Sequence, residues 1–144
     1  MNLFGMLEMS GTALAAERLR AEVVSANMAN AETTSTPAGG AYRRQLVVFR
    51  ARPTPRFPLL LAGIRNPPGE GVRVDRVVAD LSPLPRRYAP GHPDADGAGY
   101  VTYPNVNPVL EMADLLSAVR AYQLNAAAVQ AAKSMIQQSL QILS

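Results

Sequence analysis

One stretch of the 144-residue chain gathers an imidazole and two carboxylates: His92-Pro93-Asp94-Ala95-Asp96-Gly97. Asp94, Asp96 and Gly97 match the opening spacing of a calcium loop. The third ligand position and the closing glutamate are missing, so calcium binding is not expected. Aspartates beside proline and glycine also build turns by accepting hydrogen bonds from their own backbone, and the composition favours that reading. His92 offers a general base, but no serine, threonine or carboxylate is tied to it by a recognisable motif. It is the lone histidine, and there are no cysteines. Multi-histidine metal sites, zinc thiolates, disulfides and cysteine nucleophiles are therefore excluded. No glycine-rich phosphate loop follows a strand. Carboxylates such as Glu17 and Glu22 fall on helix faces, where solvation is the default. Neither catalysis nor a cofactor is expected.

Two basic clusters are the other chemical feature, Tyr42-Arg43-Arg44 and Pro85-Arg86-Arg87-Tyr88. Formal net charge is +3 and the isoelectric point near 9.7. The excess is dispersed through the middle of the chain, whereas both ends are nearly balanced. With no basic stripe on a helix and no basic–aromatic platform, nucleic acid is not an expected partner. The arginines read as solubilising and as partners for acidic neighbours.

The elements that must carry these residues follow from the prolines. All 12 lie between Pro37 and Pro108, leaving 36 proline-free residues at each end. Proline breaks helix interiors, so the chain divides into a helical segment 1–36, an irregular, β-rich module 37–107 and a helical segment 108–144. The expected class is mainly α with a small β module, its long terminal helices packed as a coiled-coil-like pair. In the last segment a three–four walk meets Met112, Leu115, Val119, Tyr122, Ala126, Val129, Lys133, Ile136, Leu140 and Leu143. All but Lys133 are apolar or aromatic, the seam of a left-handed coiled coil. Glu111 and Asp114 fall off that seam, near the positive end of the helix dipole. Asn107 suits the N-cap and Pro108 the first helical position. A helix over 108–143 would be roughly 54 Å long, too long for a chain of this size to cover alone.

The first helix is weaker and alanine-rich, its walk reading Met9, Thr12, Ala16, Leu19, Val23, Ala26 and Asn30. Gly5 and Gly11 each cost about 1 kcal/mol relative to alanine. Asn27 and Asn30 share a face near its end, either as surface amides or as buried ones that fix register. Strands are expected at Gln45–Ala51, at Gly71–Asp80 with Val72, Val74 and Val78 on one face and Arg73 and Asp75 on the other, and at Gly99–Tyr103. Leu59–Ile64 is a further candidate strand, and Leu81–Gly91 reads as extended. No apolar run approaches the ~18 residues of a membrane-spanning helix. Met1–Leu7 lacks the basic region of a secretory signal, so a cleaved leader is not expected.

Several stretches together resemble one family. SANMANAETT (Ser25–Thr34) is similar to the signature of flagellar rod and hook proteins. YRRQLVVF (Tyr42–Phe49), GVRVDRVVADLSP (Gly71–Pro83) and the run from Pro90 to Leu140, with GYV..YPNVN followed by EMADLL..RAYQ.N, resemble the proximal-rod members of that family. The resemblance implies a non-enzymatic subunit of the bacterial flagellar basal body. Its paired terminal helices would stack into an axial tube that crosses the periplasm and carries motor torque. It implies contacts with further copies and with other rod proteins (FlgB, FlgF, FlgG and FliE), export through the flagellar type III apparatus, and no insertion into membrane. The expected assembly surface comprises Leu19, Val23, Asn27 and Asn30 on the first helix. On and before the last helix it comprises Asn105, Asn107, Met112, Leu115, Val119, Tyr122, Val129, Ile136 and Leu140. Asn27 and Asn30 would fix the turn out of the first helix, and Asn105 and Asn107 the start of the last. Competing readings are another axial protein of the same family, a helical adaptor whose basic middle binds nucleic acid, and a hydrolase using His92.

Overall fold

A computed structural model describes residues 3–52 and 71–142. The candidate strand Leu59–Ile64 and the seam position Leu143 lie outside the described residues. Helix α1 spans Leu3–Ala29 and helix α2 spans Pro108–Ile142. Between them come strands β1 (Gln45–Ala51), β2 (Val72–Ala79), β3 (Arg86–Tyr88) and β4 (Tyr100–Thr102). The two long terminal helices pack together, and a small β module lies between them in the chain. Helix α1 starts at Leu3 and passes through Gly5 and Gly11 without a break. Packing of an alanine-rich face outweighs the propensity cost of two glycines.

Helix α2 begins as its sequence dictates. The Asn107 side-chain oxygen accepts the Val109 N–H at 3.0 Å, and the Asn107 carbonyl accepts the Glu111 N–H at 3.0 Å. That is an N-cap followed by proline, which has no N–H to satisfy. Helix α1 ends in tightening turns, with the Asn30 N–H shared between the Ala26 and Asn27 carbonyls at 3.1 and 3.2 Å. The Asn30 amide turns back onto the Ala26 carbonyl at 2.9 Å. Beyond it the chain doubles back, and the Tyr42 N–H reaches the Thr33 carbonyl at 3.0 Å.

Strands β1 and β2 form one two-stranded sheet, β3 and β4 another. At the ends of the first, the Arg52 N–H donates to Gly71 and the Asp80 N–H to Arg44, which makes the pair antiparallel. Asp75 was expected on the outer face with Arg73, but it is partly covered and pairs with Arg50 at 3.0 Å.

By contact density the described residues form two compact units. One gathers residues 3–19, 48–52, 71–76 and 118–142; the other gathers Arg20–Val47 and Val77–Ser117. In the first unit the hairpin base is fixed to α1. The Thr12 hydroxyl donates to the Met9 carbonyl at 2.8 Å and accepts the Val72 N–H at 3.2 Å. Gly71, at φ +128, lies so close to that hydroxyl that no side chain fits. Arg52 pairs with Glu8 at 2.9 Å.

In the second unit β3 and β4 pair antiparallel, with Arg86, Arg87 and Tyr88 opposite Thr102, Val101 and Tyr100. Strands this short are marginal unaided, and their loop supplies the support. The Asp96 carboxylate accepts N–H bonds from Ala98 at 3.0 Å and Tyr100 at 2.9 Å and pairs with Arg86. The Tyr100 N–H first, then the Ala98 N–H and the Arg86 charge, hold its carboxyl below the usual range. Asp96 thus serves the turn, whereas the Asp94 carboxylate accepts the Thr34 hydroxyl at 2.6 Å and the Asp94 N–H donates to His92 Nδ1 at 3.1 Å. Among the described residues no cluster of histidine and carboxylates is placed to hold a metal ion.

Gly99 closes this turn at φ +79, where a Cβ would stand 2.9 Å from the Tyr88 ring. Gly99→Val should therefore lower the unfolding free energy by about 2 kcal/mol, the cost of a strained, crowded backbone position. Urea denaturation measures this; an unchanged midpoint would show that the turn is not so constrained.

Candidate functional site

The side chains that join distant parts of the second unit are polar and buried. Asn27, near the end of α1, has no exposed surface. An amide has two donor hydrogens and two acceptor lone pairs, and all four are used. Its Nδ2 donates to the Gln45 carbonyl and to Glu111 Oε2, each at 2.9 Å. Its Oδ1 accepts the Gln45 N–H at 2.8 Å and the Tyr42 hydroxyl at 3.0 Å. One side chain so links the end of α1, the start of β1 and the first turn of α2.

Glu111 is the charged member and is also fully buried. Its Oε1 takes a charge-assisted bond from Arg44 Nε at 2.5 Å. Arg44 reaches on to Asp114 at 3.5 Å, and Asp114 accepts from Arg20 at 2.8 Å. Two guanidinium groups and two carboxylates therefore balance, Glu111 fully buried and Arg44, Arg20 and Asp114 partly wet. Both links tie α1 to α2, Arg20 to Asp114 and Asn27 to Glu111. As numbers rise along one helix they fall along the other, so the helices run antiparallel. Burial, and then the Glu111 charge, push the Tyr42 phenol above its ordinary value, so its hydroxyl stays a donor.

Asn105 fixes the approach to α2. Its Oδ1 accepts the Arg44 N–H at 2.9 Å, and its Nδ2 donates to the Asp80 carbonyl at 3.2 Å. Asp80 is itself held: the Ser82 hydroxyl, then the Ser82 N–H, keep its carboxyl below the usual range.

Of the four asparagines expected to matter, Asn27 and Asn105 join distant segments. Asn30 and Asn107 act locally, Asn30 taking the Thr33 hydroxyl at 3.1 Å and Asn107 capping α2. Glu111 corrects the sequence reading, which set it off the packed face. Its burial follows from Arg44 and Asn27, both remote in sequence. Tyr42, Arg44, Arg20 and Asp114 complete a network that helix periodicity does not reveal.

The apolar seam is also displaced. On α2 the most covered positions are Glu111, Ala118 and Ala132, with Asn125 between them partly covered. This line runs one residue before the expected one. Leu115, Val129 and Ile136 flank it and are half-buried. Met112, Val119, Tyr122 and Leu140 stand exposed, at 54%, 41%, 43% and 62%. On α1 the covered positions are Ser10, Ala16, Val24 and Asn27, while Leu19 and Val23 are half-buried. Small side chains let the helix axes approach closely and take the inner positions, and larger apolar ones are left on the outside.

Two family models match the chain. Residues 7–35 match one described as flagella basal body rod protein, and residues 98–142 match the flagellar basal body rod FlgEFG protein C-terminal model. Among curated relatives, the flagellar basal-body rod protein FlgC of Borreliella burgdorferi is 44% identical, covering 99% of both chains. The FlgC proteins of Bacillus subtilis and Salmonella typhimurium are 38% and 36% identical, over 99% and 97% of each chain.

Replacing Asn27 by alanine would strand Glu111 Oε2, both Gln45 backbone groups and the Tyr42 hydroxyl in a buried site. Asn27→Ala should cost about 2–4 kcal/mol, as for a broken buried network that includes a charge. Chemical denaturation of the purified chain measures it, and a loss under about 0.5 kcal/mol would mean the network contributes little.

Proposed function

We infer the use of these helices from the chain's family: it belongs to the FlgC flagellar basal-body rod proteins over nearly its whole length. It is a structural subunit of the rod. In the proposed mechanism its helices form the inner, axial layer of a tube that crosses the periplasm and transmits motor torque to the hook. Segments 1–36 and 108–144 make the axial core, and the module 37–107 lies against it. The partners are further copies and the other rod proteins FlgB, FlgF, FlgG and FliE. The chain reaches its place through the flagellar type III export apparatus. No catalytic residue takes part: resistance to shear comes from many side-chain contacts along packed helices.

The observation that carries this reading is the distribution of apolar side chains on α2. Glu111, Ala118 and Ala132 take the covered line, while Met112, Val119, Tyr122 and Leu140, and beside them Leu116 and Leu124, are exposed. Fully burying one such side chain is worth about 1.5–3 kcal/mol. A helix that leaves this many in water gains most when neighbours cover it. The arginines of the middle support the same reading over nucleic-acid binding, since Arg44 is committed to Glu111 and Arg86 to Asp96.

The combined variant Val119→Asp/Val129→Asp should abolish swimming in a strain lacking its own copy of the subunit, because charge on this face opposes burial by a neighbour. Export, read by immunoblotting of the periplasmic fraction, should persist. Normal motility would remove α2 from the assembly surface.

A further inference from the structure

The buried side chains of α1 and α2 specify their axial alignment poorly. Ser10 and Ala16 on one helix and Ala118 and Ala132 on the other are small. Alternatives stand nearby, including Ala13 and Ala21 on α1 and Ala121 and Ala128 on α2. In one direction a slip of one heptad still sets small residues against small ones, Ser10 facing Ala121 and Ala118 facing Ala13, although Ala16 then meets Leu115. Among the described residues of the two helices Val24 is the one buried apolar side chain larger than alanine, and Leu19, Leu115, Val129 and Ile136 are half-buried.

The polar knot discriminates. In the observed register Asn27 is level with Glu111. One heptad of slip in one direction brings Glu111 to Arg20 and carries Asn27 level with Pro104, before α2 begins. In the other direction Asn27 meets Ala118, and Glu111 passes the end of α1 to Thr34. Either slip takes Glu111 away from Asn27 and from Arg44, leaving an Asn27 donor and the Arg44 guanidinium without their buried carboxylate. A buried polar group that is satisfied in one alignment alone selects that alignment.

We propose that Asn27, Glu111 and Arg44 form the register lock of the helix pair, a determinant of which alignment forms more than of how stable it is. Replacing a satisfied buried ion pair by apolar groups of similar volume is often neutral or stabilising. The lock therefore separates two properties that ordinary core residues change together. The inference concerns the isolated chain and does not depend on its place in the rod.

The absence of cysteine allows a direct test. Ser25→Cys and Ser117→Cys place spin labels on exposed positions of the two helices. In this background the full chain should give one narrow interspin distance by pulsed electron–electron resonance. Adding Asn27→Leu, Glu111→Leu and Arg44→Leu should preserve helicity by circular dichroism but give further distance populations. Slipped alignments should account for at least about a tenth of the molecules, their helices offset by ~10.5 Å, seven residues at the helical rise. A single unchanged distance in the folded triple variant would overturn the proposal, as would several distances in the unmodified knot. Should the triple variant lose its helicity, Glu111→Gln decides: it keeps the shape and removes the charge. A second population there supports the lock, and a single one refutes it.

Discussion

A carboxylate with no exposed surface constrains everything around it. Moving Glu111 out of water costs several kcal/mol unless its charge is matched and its oxygens are bonded. Here Arg44 matches the charge from the start of β1, and Asn27 bonds the second oxygen from the end of α1. Arg44 can do so only because the loop after α1 folds back, as the Tyr42 N–H to Thr33 carbonyl bond shows. Asn105 extends the same logic, holding Arg44 and Asp80 while the chain turns into α2. The ends of the sequence are brought together by hydrogen bonds more than by a large apolar core.

That arrangement has a counterpart in the distribution of apolar side chains. An inner line of mostly small or polar side chains buries little apolar area per residue. The larger side chains, displaced outward, make the pair incomplete in isolation. For a subunit of the rod the division fits the proposed assembly: a few polar groups set the geometry within one chain, and the exposed apolar side chains suit the neighbours proposed above. The Thr12–Gly71 contact and the Glu8–Arg52 pair do for the first unit what the knot does for the second, anchoring a hairpin to helix α1.

Much of the architecture is written in local chemistry. Proline placement marks both helices; Asn107-Pro108 marks the first residue of α2; β-branched runs mark β1 and β2, and the turn-forming aspartates mark the β3–β4 loop. The three–four walk finds the helices but misplaces their inner line by one residue. It ranks positions by hydrophobicity, whereas close packing selects small side chains. A line of Glu111, Ala118, Asn125 and Ala132 at intervals of seven carries no hydrophobic signal. Glu111 itself looks like an ordinary charge in a first helical turn. Its role depends on Asn27 and Arg44, 84 and 67 residues away, and periodicity within one helix holds no information at that range. The β3–β4 pairing was likewise only half legible, since Arg86–Tyr88 has neither alternation nor β-branching.

The direct link between Asn27 and Glu111 is the claim on which this account rests most heavily. A double-mutant cycle with Asn27→Ala, Glu111→Ala and the combined variant, each unfolded in urea, isolates their interaction from the loss of either side chain. The account predicts strong coupling, at least about 1.5 kcal/mol, because each removal strands the other's partner. Additive losses, with coupling below about 0.5 kcal/mol, would contradict it.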